Sequence, residues 1–125
     1  MKKHSLLALA LVLSLGACAS IKNPIGNSTL ATVVSTYGVA QSAAIAYMGL
    51  PRCTKTAPLS ATNYCAARSI KVRIQIADQK ANKAVNDAVT FTANNPTLDA
   101  SSLINAAQIA VSTLQDLEKT AGVSQ

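Results

Sequence analysis

The sequence predicts an all-α fold: an antiparallel three-helix bundle that follows a cleavable N-terminal signal helix. Three observations lead there. Apolar residues recur at alternating steps of three and four along three segments, about 28–48, 64–94 and 99–121, the spacing that lines one face of a helix. Helix breakers, Gly49-Leu50-Pro51 and Asn94-Asn95-Pro96, separate those segments. Alanine dominates, and only Tyr37, Tyr47, Tyr64 and Phe91 are aromatic. That composition suits close-packed helices better than a sandwich or barrel, which draw on β-branched and aromatic residues.

The first helix carries Leu30, Val33, Tyr37, Ala40, Ala44 and Tyr47 on one face, widened by Val34, Ile45 and Met48. Asn27-Ser28-Thr29 fits the N-glycosylation pattern but reads as chance, with Ser28 as the helix N-cap. No charge falls between Lys22 and Arg52. A second reading is therefore a membrane-active protein with a transmembrane helix at 30–50, in which Gly38, Ser42 and Ala46 are spaced for close helix contact. Thr32, Ser35, Thr36, Gln41 and Ser42 in mid-span favour a buried helix of a bundle instead. Gly49 and Pro51 end the helix.

Residues 49–63 form the first connection. Helix two then places Ala67, Ile70, Ile74, Ala77, Ala81, Ala84, Ala88 and Phe91 on one seam. Within it, Ile70-Lys71-Val72-Arg73-Ile74-Gln75-Ile76 also alternates as a strand would. The helical repeat continues past it, so the segment reads as helix. Thr97 or Asp99 caps the third helix, whose seam is Ala100, Leu103, Ala107, Ala110, Leu114, Leu117 and Ala121. Gly122 ends it, and 122–125 is a free tail. Alanine seams let helices approach closely but bury little area per contact.

A cross-link then becomes valuable. Cys53 and Cys65 bracket the long connection, and a disulfide between them closes a loop worth ~3 kcal/mol in the chain-entropy model. A metal site is the rival reading. Two thiols twelve residues apart, with no histidine outside the signal segment, are weak zinc ligands, so the disulfide is favoured.

The N-terminus has the layout of a secretory signal: basic Lys2 and Lys3, a leucine-rich run from Ser5 to Leu15, then small residues. The run is shorter than the ~20 residues of a permanent span. It closes on Leu15-Gly16-Ala17-Cys18. This stretch resembles the lipobox of bacterial lipoprotein precursors: an aliphatic residue, two small ones, then cysteine. The resemblance covers residues 1–20 and implies cleavage of 1–17, diacylglycerol on Cys18 and an anchored N-terminus. Residues 18–27 then serve as a tether. Ala19 is not the aspartate that keeps lipoproteins at the inner membrane of two-membrane bacteria, so the same resemblance favours the outer membrane. An ordinary signal cut before Ser20 is the alternative, giving a secreted soluble binding protein. Either way, 108 of the 125 residues or slightly fewer remain, enough for one small domain.

The chain has 11 basic and 5 acidic residues, a net charge of +6, and the excess is uneven. Arg52, Lys55, Arg68, Lys71 and Arg73 follow one another with no acid between, while Asp78, Asp87, Asp99, Asp116 and Glu118 come later, on faces where solvated charge is expected. The histidine is His4, inside the signal. That removes Ser-His and Cys-His nucleophilic schemes and the commonest general base. No phosphate-binding, dinucleotide or zinc-protease motif occurs. The expectation is a non-enzyme without cofactors. Nucleic-acid binding is disfavoured, because no aromatics interleave the basic residues.

If Cys18 sits in a membrane, the first helix carries the basic cluster ~30 Å outward at 1.5 Å per residue. There it would meet an acidic partner: a protein surface, an anionic envelope polymer or an opposing membrane. The Leu50-Pro51-Arg52-Cys53…Cys65 loop on an alanine-rich helical chain resembles small prophage-encoded proteins of bacteria. That resemblance implies an envelope role, such as envelope modification or superinfection exclusion, and names no activity. The reading is a lipid-anchored structural or interaction module.

Overall fold

The computed structural model describes residues 24–60 and 62–122, with the side chains of 24–27 aside. The signal segment, with Leu15-Gly16-Ala17-Cys18, lies outside the described residues. Three helices, α1 (Pro24–Gly49), α2 (Arg68–Asn94) and α3 (Ser101–Thr120), pack against one another as a three-helix bundle, and no strand lies among the described residues. The heptapeptide from Ile70 to Ile76 is helical. α2 runs back along α1: Lys71 near its start reaches the Met48 and Leu50 carbonyls, and Asp78 and Asn82 further on meet Tyr37.

The helix ends differ from expectation for local reasons. α1 begins at Pro24, so Ser28 lies within the helix rather than capping it. Proline suits a first helical turn, since its φ is already helical and its missing N–H would have no partner there. α2 begins at Arg68, four residues later than Tyr64, because the preceding backbone is extended and pairs with Arg52 at the start of the connection. Ahead of α3, the Asp99 carboxylate accepts bonds from the Ser101 amide at 2.8 Å and from the Ser101 hydroxyl. Those bonds hold the Asp99 carboxyl below the usual carboxylate range. Gly122, at φ +75°, turns the chain out of α3 with its amide on the Lys119 carbonyl. That left-handed conformation is one glycine adopts without strain.

The α1 seam buries all six expected residues, Leu30, Val33, Tyr37, Ala40, Ala44 and Tyr47, whereas Val34 and Ile45 face solvent. The other two seams drift. α2 buries Ile74, Ala77, Ala81, Val85, Ala88 and Thr92, with Ile70, Ala84 and Phe91 at the margin. α3 buries Ile104, Ala107, Val111, Leu114 and Glu118, with Leu103, Ala110 and Leu117 at the margin. A strict three-four alternation repeats every 3.5 residues, but a straight helix turns every 3.6, so a long seam moves to the next residue. Val85 and Thr92 thus replace Ala84 and Phe91. Glu118 replaces Leu117, which overturns the expectation that every acid lies on a solvated face: Glu118 is fully buried. The Thr92 hydroxyl is satisfied by donating to the Ala88 carbonyl at 2.8 Å.

No helix among the described residues is long and apolar enough to cross a membrane. The reading of 30–50 as a span is therefore set aside. Thr32, Ser35 and Ser42 face outward, and the apolar face of α1 is covered by α2 and α3.

Ile74 and Ile76 separate the helical phase from a strand phase, because a strand would put both on one face. Ile74 is fully buried and Ile76 is 48% exposed. Ile74→Ala should cost about 2–5 kcal/mol in urea unfolding, and Ile76→Ala less than about 1 kcal/mol. Equal losses at the two positions would contradict the packing described.

Candidate functional site

The part of the chain that stands apart from the helices is the connection 50–67, which holds Cys53 and Cys65 and, with the start of α2, the expected basic cluster. It is built from its base upward. The Leu50 amide closes the end of α1 on the Tyr47 carbonyl. The next residues pair with the approach to α2: the Ala66 amide donates to the Pro51 carbonyl at 2.8 Å, and the Cys53 amide donates to the Ala66 carbonyl at 3.1 Å. This is a single parallel bridge between Arg52 and Ala66. Beside it Cys53 and Cys65 are bonded, their Cα atoms 4.9 Å apart. Cys65 and Ala66 are buried, so the base of the loop joins the core.

Above that base the loop folds on itself. Thr54 and Ala57 exchange backbone bonds at 3.2 and 3.3 Å, and the Thr54 hydroxyl accepts a further bond from the Ala57 amide. Ser60 and Asn63 exchange another pair at 3.2 Å. The Asn63 side-chain amide donates to the Ala57 and Pro58 carbonyls, at 3.0 and 2.8 Å, and ties the two turns together. A connection of this length without helix or strand is uncommon unless it packs on itself or has a function.

The five basic residues do not stay together. Arg52, Lys55 and Arg68 are exposed on the loop and at the first residue of α2. Lys71 is half-buried and turned inward: its ammonium donates to the Met48 carbonyl at 2.9 Å and the Leu50 carbonyl at 2.6 Å. It answers the negative end of the α1 dipole and its unpaired carbonyls. Arg73 lies elsewhere, in a surface groove of about 370 Å³ between α2 and α3 that it lines with Ile76, Lys80 and Leu117. α2 has no acid in its first turn and no side-chain cap, so its N-terminal amides add to the positive potential beside Arg68.

Two features escaped the sequence pattern. Leu59, inside the connection, and Tyr64, at the expected start of helix two, are exposed on the loop by 62% and 71%. Tyr37 was legible as a core residue, but not its polar contacts. Its hydroxyl donates to Asp78 Oδ1 at 3.0 Å and accepts from Gln41 Nε2 and Asn82 Nδ2 at 3.0 and 3.1 Å. Desolvation in the α1–α2 interface, with the Asp78 carboxylate adding to it, pushes the Tyr37 phenol above its ordinary 10.0. Gln41 at four residues' spacing was the one sequence hint of this network. Among the described residues no group of three or more His, Cys, Asp or Glu side chains could hold a metal ion.

No protein-family model, curated protein or solved structure matches the chain.

The split of the basic cluster is testable by unfolding. Lys71→Met removes two charge-assisted bonds to the end of α1 and should cost about 1–3 kcal/mol. Arg52→Ala, Lys55→Ala and Arg68→Ala should each stay within about 0.5 kcal/mol. Comparable losses at all four positions would refute the separate role of Lys71.

Proposed function

We propose that this is an exported, lipid-anchored protein of the bacterial cell envelope that works as a non-catalytic structural or interaction module. The supporting observation is the use of its cysteines. Cys53 and Cys65 are bonded to each other, a pairing at home in an oxidising compartment outside the cytoplasm. The third, Cys18, closes the apolar N-terminal run in Leu15-Gly16-Ala17-Cys18. A thioether-linked diacylglycerol there, with further acylation of the new N-terminus, gives a stable hold, since each buried CH₂ contributes ~0.8 kcal/mol. Ala19 after the cysteine favours the outer membrane, facing the periplasm, through the resemblance to lipoproteins. The absence of histidine beyond His4 and the spread of the acids along the chain support a role without catalysis. The partner is an acidic protein or anionic envelope component that meets the basic end of the bundle.

The mature N-terminus decides the anchor. Intact-mass and peptide mass spectrometry of the membrane fraction should show a chain beginning at an acylated Cys18, and labelling with a palmitate analogue should be lost in Cys18→Ser. A mature chain beginning at unmodified Ser20 in the soluble fraction would replace this proposal with the secreted reading.

A further inference from the structure

We infer that the disulfide-closed loop is a docking surface for an anionic membrane, with Tyr64 and Leu59 as its apolar contacts and Arg52, Lys55 and Arg68 as its cations. This goes beyond the N-terminal anchor, because it concerns the opposite end of the bundle. α1 alone, at 26 residues, separates the two ends by about 39 Å.

Four observations carry it. The loop is cross-braced: the Cys53–Cys65 bond and the Arg52–Ala66 bridge close its base, and the Asn63 side chain bonds the Ala57 and Pro58 carbonyls. Two large apolar side chains stand out of that backbone, Leu59 at 62% and Tyr64 at 71% exposure. Tyr64 stands out although the next two residues, Cys65 and Ala66, are buried. The loop's own charge is of one sign: Arg52, Lys55 and Arg68 are exposed, no acid occurs from Leu50 to Arg73, and the two ion pairs among the described residues, Lys83–Asp87 and Lys119–Asp116, engage none of the three. Finally, α2 begins here without an acid in its first turn, against the usual preference of a helix N-terminus.

The combination fits a membrane better than a folded partner. Leu59 and Tyr64 are exposed on the loop, whereas the bundle's grooves lie between helices. A projecting tip needs no matching pocket if the partner is a fluid surface. Leucine enters the acyl boundary, and the tyrosine ring sits at headgroup level with its hydroxyl in water. Arg52, Lys55 and Arg68 keep their charged heads among lipid phosphates while their stems lie along the apolar boundary. Each basic residue near an anionic bilayer strengthens partitioning about 5-fold, so three contribute about 100-fold.

The chain contains no tryptophan, so Tyr64→Trp places one reporter at the tip. Val39→Trp, on the exposed side of α1, places one away from it as a control. Each full-length protein is reconstituted in phosphatidylcholine vesicles and mixed with a second set that contains brominated phosphatidylglycerol. The tip reporter should shift to the blue and be quenched, the control should not, and high salt should reverse the effect. Adding Arg52→Ala, Lys55→Ala and Arg68→Ala to Tyr64→Trp should lower binding to the second vesicles about 100-fold, with helical content by circular dichroism unchanged. Equal quenching by brominated phosphatidylcholine, equal quenching of the α1 reporter, or none on the anionic vesicles would each overturn the inference. The last of these would point to an acidic protein as the occupant. The readout stands whether or not Cys18 is lipidated, since a protein without an anchor would still meet the anionic vesicles from solution.

Discussion

The Cys53–Cys65 bond closes residues 50–67 at their base, and the geometry on both sides follows from that closure. With the cysteines joined, 51–53 and 65–67 lie side by side and exchange backbone bonds. The chain is still extended at Ala67, which is why α2 starts only at Arg68. The same closure brings Lys71, one turn into α2, to the last carbonyls of α1. A cation thus stands where the α1 dipole is negative and its acceptors lack partners, and the two helices are held together by charge as well as by sulfur. Closing a loop of this size restricts the unfolded chain by ~3 kcal/mol. That is a large share of what a small domain retains, typically 5–15 kcal/mol.

The bundle needs that contribution because its seams are made of small residues. Ala40, Ala77, Ala81, Ala88 and Ala107 are buried, and Ile74, Leu114 and Glu118 are the largest side chains that are fully enclosed. Small side chains bring helices close, so backbone and Cβ atoms make many short contacts, but the apolar area removed from water per residue is modest. Polar bonds across the interface add specificity rather than bulk. Tyr37, Gln41, Asp78 and Asn82 fix the register of α1 against α2 through one shared hydroxyl.

Much of this was legible in the sequence, and the failures have physical causes. The three-four repeat located all three helices, and for α1 it named the buried face residue by residue. In α2 and α3 the expectation followed a 3.5-residue period to its end, where straight helices follow 3.6. That error moved Val85, Thr92 and Glu118 from the surface into the core. The cysteine spacing suggested the loop closure, but not the hydrogen bonds that organise its interior, because Thr54, Ser60 and Asn63 look like any polar linker until their partners are known. The run of basic residues looked continuous along the chain. In space it divides, because Lys71 and Arg73 are two residues apart on a helix and face different neighbours. The signal and the Leu15-Gly16-Ala17-Cys18 box rest on sequence alone.

Amide hydrogen exchange on the oxidised and the reduced protein tests the organising role of the closure most directly. In the oxidised form the amides of Cys53, Ala57, Asn63 and Ala66 should be protected, since each donates to a backbone carbonyl within the loop or across its base. On reduction those four should approach the rates of an unstructured chain, together with the last turn of α1 and the first turn of α2, while the α2–α3 seam around Ala81, Val111 and Leu114 keeps the slowest exchange. Unchanged protection of the Cys53 and Ala66 amides after reduction would contradict the account. It would mean that packing alone sets the loop and that the sulfur bond merely records it.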